Sequence, residues 1–432
     1  MPQKTLILGQ TLRFSGDPFN EGLDAAHHES NGGILIVGGK IAGNGTADEL
    51  KAAHPDAEIC DYGDGLILPG FIDAHAHFPQ TAMIASWGKR LIDWLNGYTF
   101  PEEMRFGDAE YAAEIAGRYF DLTLAHGTTT TTSFCTIHPE SVDAYFSAAA
   151  ERGLRTVGGK TCMDRNAPDN LTDTAQSAYD DSKSLLEKWH GQDRAVYAIT
   201  PRFSPTSSPE QLHALGALWA EHPDCPMQTH LSEQVEEIAW VKELFPNAKD
   251  YLDTYEIAGL IGPGALFGHS IHLTDRERSR LLETKSALVH CPTSNTFIGS
   301  GLFDMDGLKR DGHSVGLATD TGGGSSFSML RTMAAAYEVA QLNGRALHPA
   351  ELIWLATEGS AKALRLEQKI GTLKPGTEAD LVVLDLSSSP AIAQRAQRAN
   401  SIWEAVFPTI MMGDDRAIQD VRVMGKPVSG KT

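Results

Sequence analysis

Long apolar runs are missing from this sequence of 432 residues. None approaches the ~20 residues that a helix needs to cross a bilayer. Cysteine is scarce: Cys60, Cys135, Cys162, Cys225 and Cys291 are odd in number, widely scattered and never spaced as CxxC. That fits reduced, buried thiols of a cytoplasmic protein better than a disulfide framework or a thiolate zinc site. Positive charge is in deficit, with 36 Lys+Arg against 56 Asp+Glu and a formal charge of −20. Nucleic acid and anionic membrane surfaces attract basic patches, so neither is expected as a partner. The opening MPQKTLILGQTLRFSG has no long apolar segment with a small-residue cleavage site, so no secretory leader is expected. No low-complexity tract and no repeat with a period of roughly 20–50 residues occurs, which argues against a solenoid.

What the chain does hold is the balance of a globular protein, 41% hydrophobic and 21% charged residues. It opens with short apolar runs broken by glycine (KTLILG, GILIVGG, KIAGNG, GLILPG) and returns to that style in ADLVVLDL (379–386) and DVRVMGKPV (420–428). Such runs read as short strands joined by tight turns. Neither end offers much core by itself. Residues 1–66 and 376–432 are therefore expected to pair into one small β-sandwich domain, flanking a catalytic domain over 67–375.

Between the ends the pattern becomes strand, loop, helix, repeated. Strands are expected at 70–77, 127–134, 155–163, 195–203, 226–232, 265–272, 286–292 and 314–320, with helices such as 108–125, 139–153 and 208–222 between them. Eight such units make a closed (β/α)8 TIM barrel, although a doubly wound sheet also alternates. The polar residues decide in favour of the barrel. Each of several apolar strands ends in a reactive side chain: His75 and His77, Arg202, His230, His269 and Asp320. A barrel gathers catalytic groups at the C-terminal ends of its strands.

His75 and His77 form an HxH pair, and residues i and i+2 of a strand share a face. With His230 and Asp320 they offer three imidazoles and one carboxylate, a donor set suited to zinc, or to iron(II) in its place. A lone HxH pair is weak evidence; four candidates at the ends of three barrel strands are strong. A zinc ion with an open coordination position would bring the pKa of water to about 7. Glu233, three residues beyond His230, is placed to act as a general acid–base beside the metal site. The alternative is an ordinary acid in the first turn of a helix. His269 is placed to hydrogen-bond water or a new oxyanion, and whether it also touches the metal stays open.

PGFIDAHAHFPQ, QTHLSE, FGHSIHL, HCPTSN and GLATDTGGG resemble the amidohydrolase superfamily, as does GTLKPGTEADLVVLD near the C-terminus. LIDWLNGYTFPEEMRF (91–106), GGKTCMDRN (158–166) and PRFSPTSS (201–208) are similar to the guanine deaminase family within it. The resemblance implies hydrolytic deamination of guanine to xanthine and ammonia, with Asp320 both holding the metal and taking a proton from water. Superfamily members with two metals usually carry a carboxylated lysine at the end of strand four. Here Arg202 stands there, and arginine cannot form the carbamate, so one ion per subunit is expected. Lys160, one strand earlier, reads as structural or as a supporting donor. The resemblance also puts Gln80 against the base. Arg202 offers a fork of donors for its O6/N7 edge and Phe203 a flat face for stacking. Trp87 or Trp94 is expected to roof the pocket. A small purine base is the expected partner molecule, and a homodimer the expected assembly. Two rivals stand: a deaminase of another heterocycle (adenosine-type, S-adenosylhomocysteine-like or triazine), and a barrel that lost its metal and acts as a scaffold.

Overall fold

In the computed structural model, which describes residues 3–87 and 90–428, eight parallel strands surround a common axis. In chain order they are Phe71–His77, Thr128–Phe134, Arg155–Gly159, Ala195–Tyr197 (continued by Thr200–Pro201), Met227–Leu231, Ala265–His269, Ala287–His290 and Val315–Leu317. The first four pair side by side, as do the last four. Two seams close the ring. Between strands four and five, Ile199 N donates to Pro226 O and Gln228 N to Ile199 O, each at 2.9 Å. Between strands eight and one, Asp320 N donates to His75 O at 2.9 Å and Thr319 N to Asp73 Oδ1 at 2.9 Å. The TIM barrel expected from the strand count is the observed fold. Strands one and two are buried along their whole length, as parallel strands covered on both faces must be.

Helices cover the outside, and their starts were written in the sequence. Asp108 caps Ala109–Ala125 by accepting from Glu110 N and Tyr111 N, and Ser208 caps Pro209–Glu221 by accepting from Gln211 N. Pro139 and Pro209 each occupy a first-turn position, where the missing N–H has no intrahelical partner to lose. Tyr119, Phe120, Tyr145 and Phe146 fill the space between helices and barrel. Each such ring removed from water contributes roughly 1.5–3 kcal/mol.

The two ends of the chain meet in one seven-stranded sheet, ordered Lys426–Pro427, Ile418–Val423, Leu381–Leu384, Glu58–Pro69, Lys4–Phe14, Ala26–Val37 and Lys40–Thr46. Leu381–Leu384 pairs antiparallel with residues 66–69, so the returning chain is stitched beside the strand that feeds the barrel. Only Gly70 separates that strand from barrel strand one. Ion pairs lock the two parts together: Arg155 Nε to Glu378 at 2.7 Å, Arg194 to Glu378 at 2.5 Å, and Arg194 to Asp380.

Candidate active site

At the C-terminal mouth of the barrel the expected ligands converge. His75 and His77 project from one face of strand one, and their Nε2 atoms lie 3.5 and 3.4 Å from Asp320 Oδ1. His230 Nδ1 donates to Arg202 O at 2.7 Å, which fixes its tautomer and leaves a bare Nε2 facing inward. That Nε2 lies 3.1 Å from His77 Nε2. Asp320 (φ +49°) and His269 (φ +64°) are held in left-handed backbone, which costs about 1–2 kcal/mol for a residue with a Cβ. Their strained turns aim both side chains back over the mouth.

The donor set fits a single divalent cation. His75 Nε2 is buried with no hydrogen-bond partner among the described residues. Ligands bonded at 2.0–2.1 Å to a tetrahedral ion such as zinc stand about 3.3 Å apart, and the separations here run from 3.1 to 3.5 Å. The ligand atoms of His75, His77 and Asp320 all lie within 4.8 Å of one another, as do those of His75, His230 and His269. Burial, reinforced by the neighbouring imidazoles, holds His77 and His230 well below the usual histidine range, so both are neutral, as ligation requires. Burial drives Asp320 upward, but the imidazole of His75 3.5 Å away and the charges of His269 and His230 outweigh it and bring the carboxyl to about 2.

Phe134, at the end of strand two, packs against all three imidazoles, with ring centroids 4.9, 4.7 and 4.7 Å from His75, His77 and His230. Close approach also demands Gly268 in strand six. A Cβ there would stand 2.6 Å from Cε1 and 2.9 Å from Nδ1 of His75. Gly268→Ala is therefore expected to displace the His75 ring and cut turnover about 100-fold, with metal content per chain falling in parallel on elemental analysis. Unchanged metal content and turnover would show that His75 is dispensable.

His269 hydrogen-bonds Asn295 Oδ1 through Nδ1 at 2.8 Å, and its Nε2 stands 3.6 Å from both Glu233 and Asp320. Burial would lower this imidazole, but those two carboxylates outweigh burial and raise it. Glu233 accepts from Ser300 Oγ at 2.8 Å, and burial raises its carboxyl despite the opposing charge of His269.

These groups border a narrow cavity of about 40 Å³ at the barrel mouth. Gln80, Arg202, Phe203 and Glu233 all line it, and Leu91, Trp94, Leu95 and Ile298 form its apolar wall. The segment after strand one folds as short helical turns, Leu91–Trp94, Leu95–Thr99 and Phe100–Glu103. Leu91, Trp94 and Leu95 share one face there, as spacings of three and four dictate. Of the two tryptophans, Trp94 is 3% exposed and lines the cavity, whereas Trp87 is 75% exposed and outside it.

Three polar residues that support the site were not singled out from the sequence: Asn295, Ser300 and Glu103. Glu103 is 1% exposed and accepts from both Gln80 Nε2 (2.9 Å) and Arg202 (2.6 Å). Its only signal was membership of the WLNGYTFPEE stretch. Asn295 lies in HCPTSN, and nothing marked Ser300. Residues read as structural lie outside the cavity lining: Lys160 pairs with Asp173 at 2.5 Å, His272 meets Ser300 O at 2.9 Å, His126 meets Leu122 O at 2.8 Å, and His290 stacks on Phe303.

Residues 66–428 match the amidohydrolase family, and residues 32–57 match a bacterial imidazolonepropionase-like composite domain. The chain is 45% identical over 399 residues to the guanine deaminase of Escherichia coli (strain K12), which covers 92% of this chain and 91% of that protein. Among solved structures, E. coli guanine deaminase superposes with a TM-score of 0.96 at 43% identity, covering 98% of this chain and 99% of that one. The guanine deaminase from C. acetobutylicum, solved with guanine bound in its active site, gives a TM-score of 0.90 at 29% identity, covering 99% and 100%.

Proposed function

The chain belongs to the amidohydrolase family and, within it, to the guanine deaminases, and from that premise we propose that it hydrolyses guanine to xanthine and ammonia in purine catabolism. One observation carries the reading: a buried cradle of three imidazoles and a carboxylate opens onto a cavity that also holds Glu233, Gln80, Arg202 and Phe203. A scaffold without chemistry has no use for such a cradle.

We assign His75, His77, His230 and Asp320 as the ligands of one zinc ion. When bound, the ion supplies a Lewis acid that makes water a nucleophile near neutral pH. Asp320 takes the proton that water loses as it adds to C2 of the base. Glu233, held through one oxygen by Ser300, turns the other toward the cavity, where it gives a proton to N3 and then helps pass one to the leaving amine. His269, oriented by Asn295, hydrogen-bonds the oxygen on which charge develops. Phe203 and Trp94 flank the ring with apolar surface, and Gln80 and Arg202 read its lactam edge. Water and guanine go in; xanthine and ammonia come out.

A panel of free bases, nucleosides and triazines read by ammonia release tests the assignment. Guanine is expected to give the highest kcat/KM. Ammonia from another heterocycle with guanine untouched would overturn the choice of substrate.

We also propose a cytoplasmic homodimer. Among the described residues no helix is long and apolar enough to cross a membrane, and all five cysteines are unpaired. An apolar groove along the outer helices, lined by Tyr337, Leu347, Trp403, Phe407 and Met411, supports association. Light scattering is expected to give twice the chain mass of 46.7 kDa; a mass equal to one chain would contradict it.

A further inference from the structure

Behind the cavity wall lies a carboxylate for which the reaction itself has no use. Glu103 ends a short helical turn, is almost fully buried, and spends its two oxygens on two different cavity residues. Oε1 accepts from Gln80 Nε2 at 2.9 Å and Oε2 accepts from Arg202 at 2.6 Å. A primary amide can turn over and exchange its oxygen for its nitrogen. Facing a carboxylate oxygen it has one orientation only, with NH2 toward the carboxylate. Gln80 Oε1 is accordingly left buried with no partner among the described residues. Arg202 gives one arm to Glu103 and keeps the rest of its rigid fork for the cavity.

Resting on the guanine reading above, we infer that Glu103 is a specificity-determining positioning residue: it locks Gln80 as a bare acceptor beside the donors of Arg202. An acceptor next to donors complements a ring edge that carries N–H next to C=O. Guanine has that edge at N1 and O6. 2-Aminopurine keeps the same leaving amine at C2 but has a lone pair at N1 and C–H at C6. Against the locked amide its N1 lone pair meets the Gln80 oxygen, and both polar groups are left unpaired in a dry site, which is costly.

Glu103→Gln tests this with an isosteric change. Arg202 has only donors, so the introduced amide must turn its oxygen to Arg202 and its NH2 to Gln80. Gln80 then turns over and shows a donor to the cavity. The ratio of kcat/KM for guanine over 2-aminopurine is expected to fall about 100-fold or more, carried mainly by a higher KM for guanine, with metal content and Tm close to those of the parent. The exchange variant E103Q/Q80E restores a lone-pair oxygen facing the cavity. It is expected to recover at least about tenfold of the lost preference, a rescue that a merely structural role would not produce. If E103Q does not fold, E103D takes its place: it keeps both acceptor oxygens and must keep the guanine preference. An unchanged ratio in E103Q, or equal loss on both bases without rescue, overturns the inference alone. A parent chain inactive on guanine overturns the underlying reading as well.

Discussion

Glu233→Gln is expected to lower kcat on guanine by about 10²–10⁴-fold, the range set by loss of a positioned general acid–base group. The substitution keeps the shape of the side chain. An amide can still pair with Ser300 Oγ, which stands 2.8 Å from Glu233 Oε1. What it cannot do is give up a proton to N3 and take one back for the departing amine. KM and metal content should therefore stay near those of the parent while turnover collapses. Steady-state kinetics on guanine, paired with elemental analysis, separate the two. A kcat within a few-fold of the parent would remove Glu233 from proton transfer.

The second large effect is loss of a ligand. His230→Ala deletes an inward Nε2 3.1 Å from that of His77, on an imidazole whose tautomer is fixed by the carbonyl of Arg202. Changing a residue that merely orients a ligand typically costs about 10–100-fold in metal affinity, and removing the ligand itself should exceed 100-fold. The purified variant is expected to hold well under one tenth of an equivalent of metal and to lose deamination. Full occupancy with intact activity would mean that the ion sits elsewhere.

The barrel was legible because its physics is local. Buried parallel strands are short apolar runs, and caps such as Asp108 and Ser208 announce the helices that follow. The strand ends were less so. Strand eight stops at Leu317 rather than running to 320, since the left-handed turn that aims Asp320 takes the last residues out of the ladder. The HxH spacing and the strand-end positions of His230, His269 and Asp320 were enough to find the cradle. Gln80, Arg202 and Phe203, the first singled out through the resemblance and the other two from their chemistry, all line the cavity. Glu103 was not singled out, for a physical reason. Its partner Arg202 is 99 residues away, and a glutamate in the run FPEE looks like a solvated helix end until the fold buries it. Ser300 is silent for the same reason: its hydrogen bond to Glu233 spans 67 residues.

The claim beneath all of this is that one cation, held by four side chains of a single chain, enables the hydrolysis of guanine. The direct measurement strips the protein of metal, adds zinc in fractional equivalents and follows xanthine and ammonia from guanine. The account predicts equal amounts of both products and a rate that rises linearly and levels off at one zinc per chain. A rate indifferent to zinc, a break at two equivalents, or no xanthine from the fully loaded protein would contradict it.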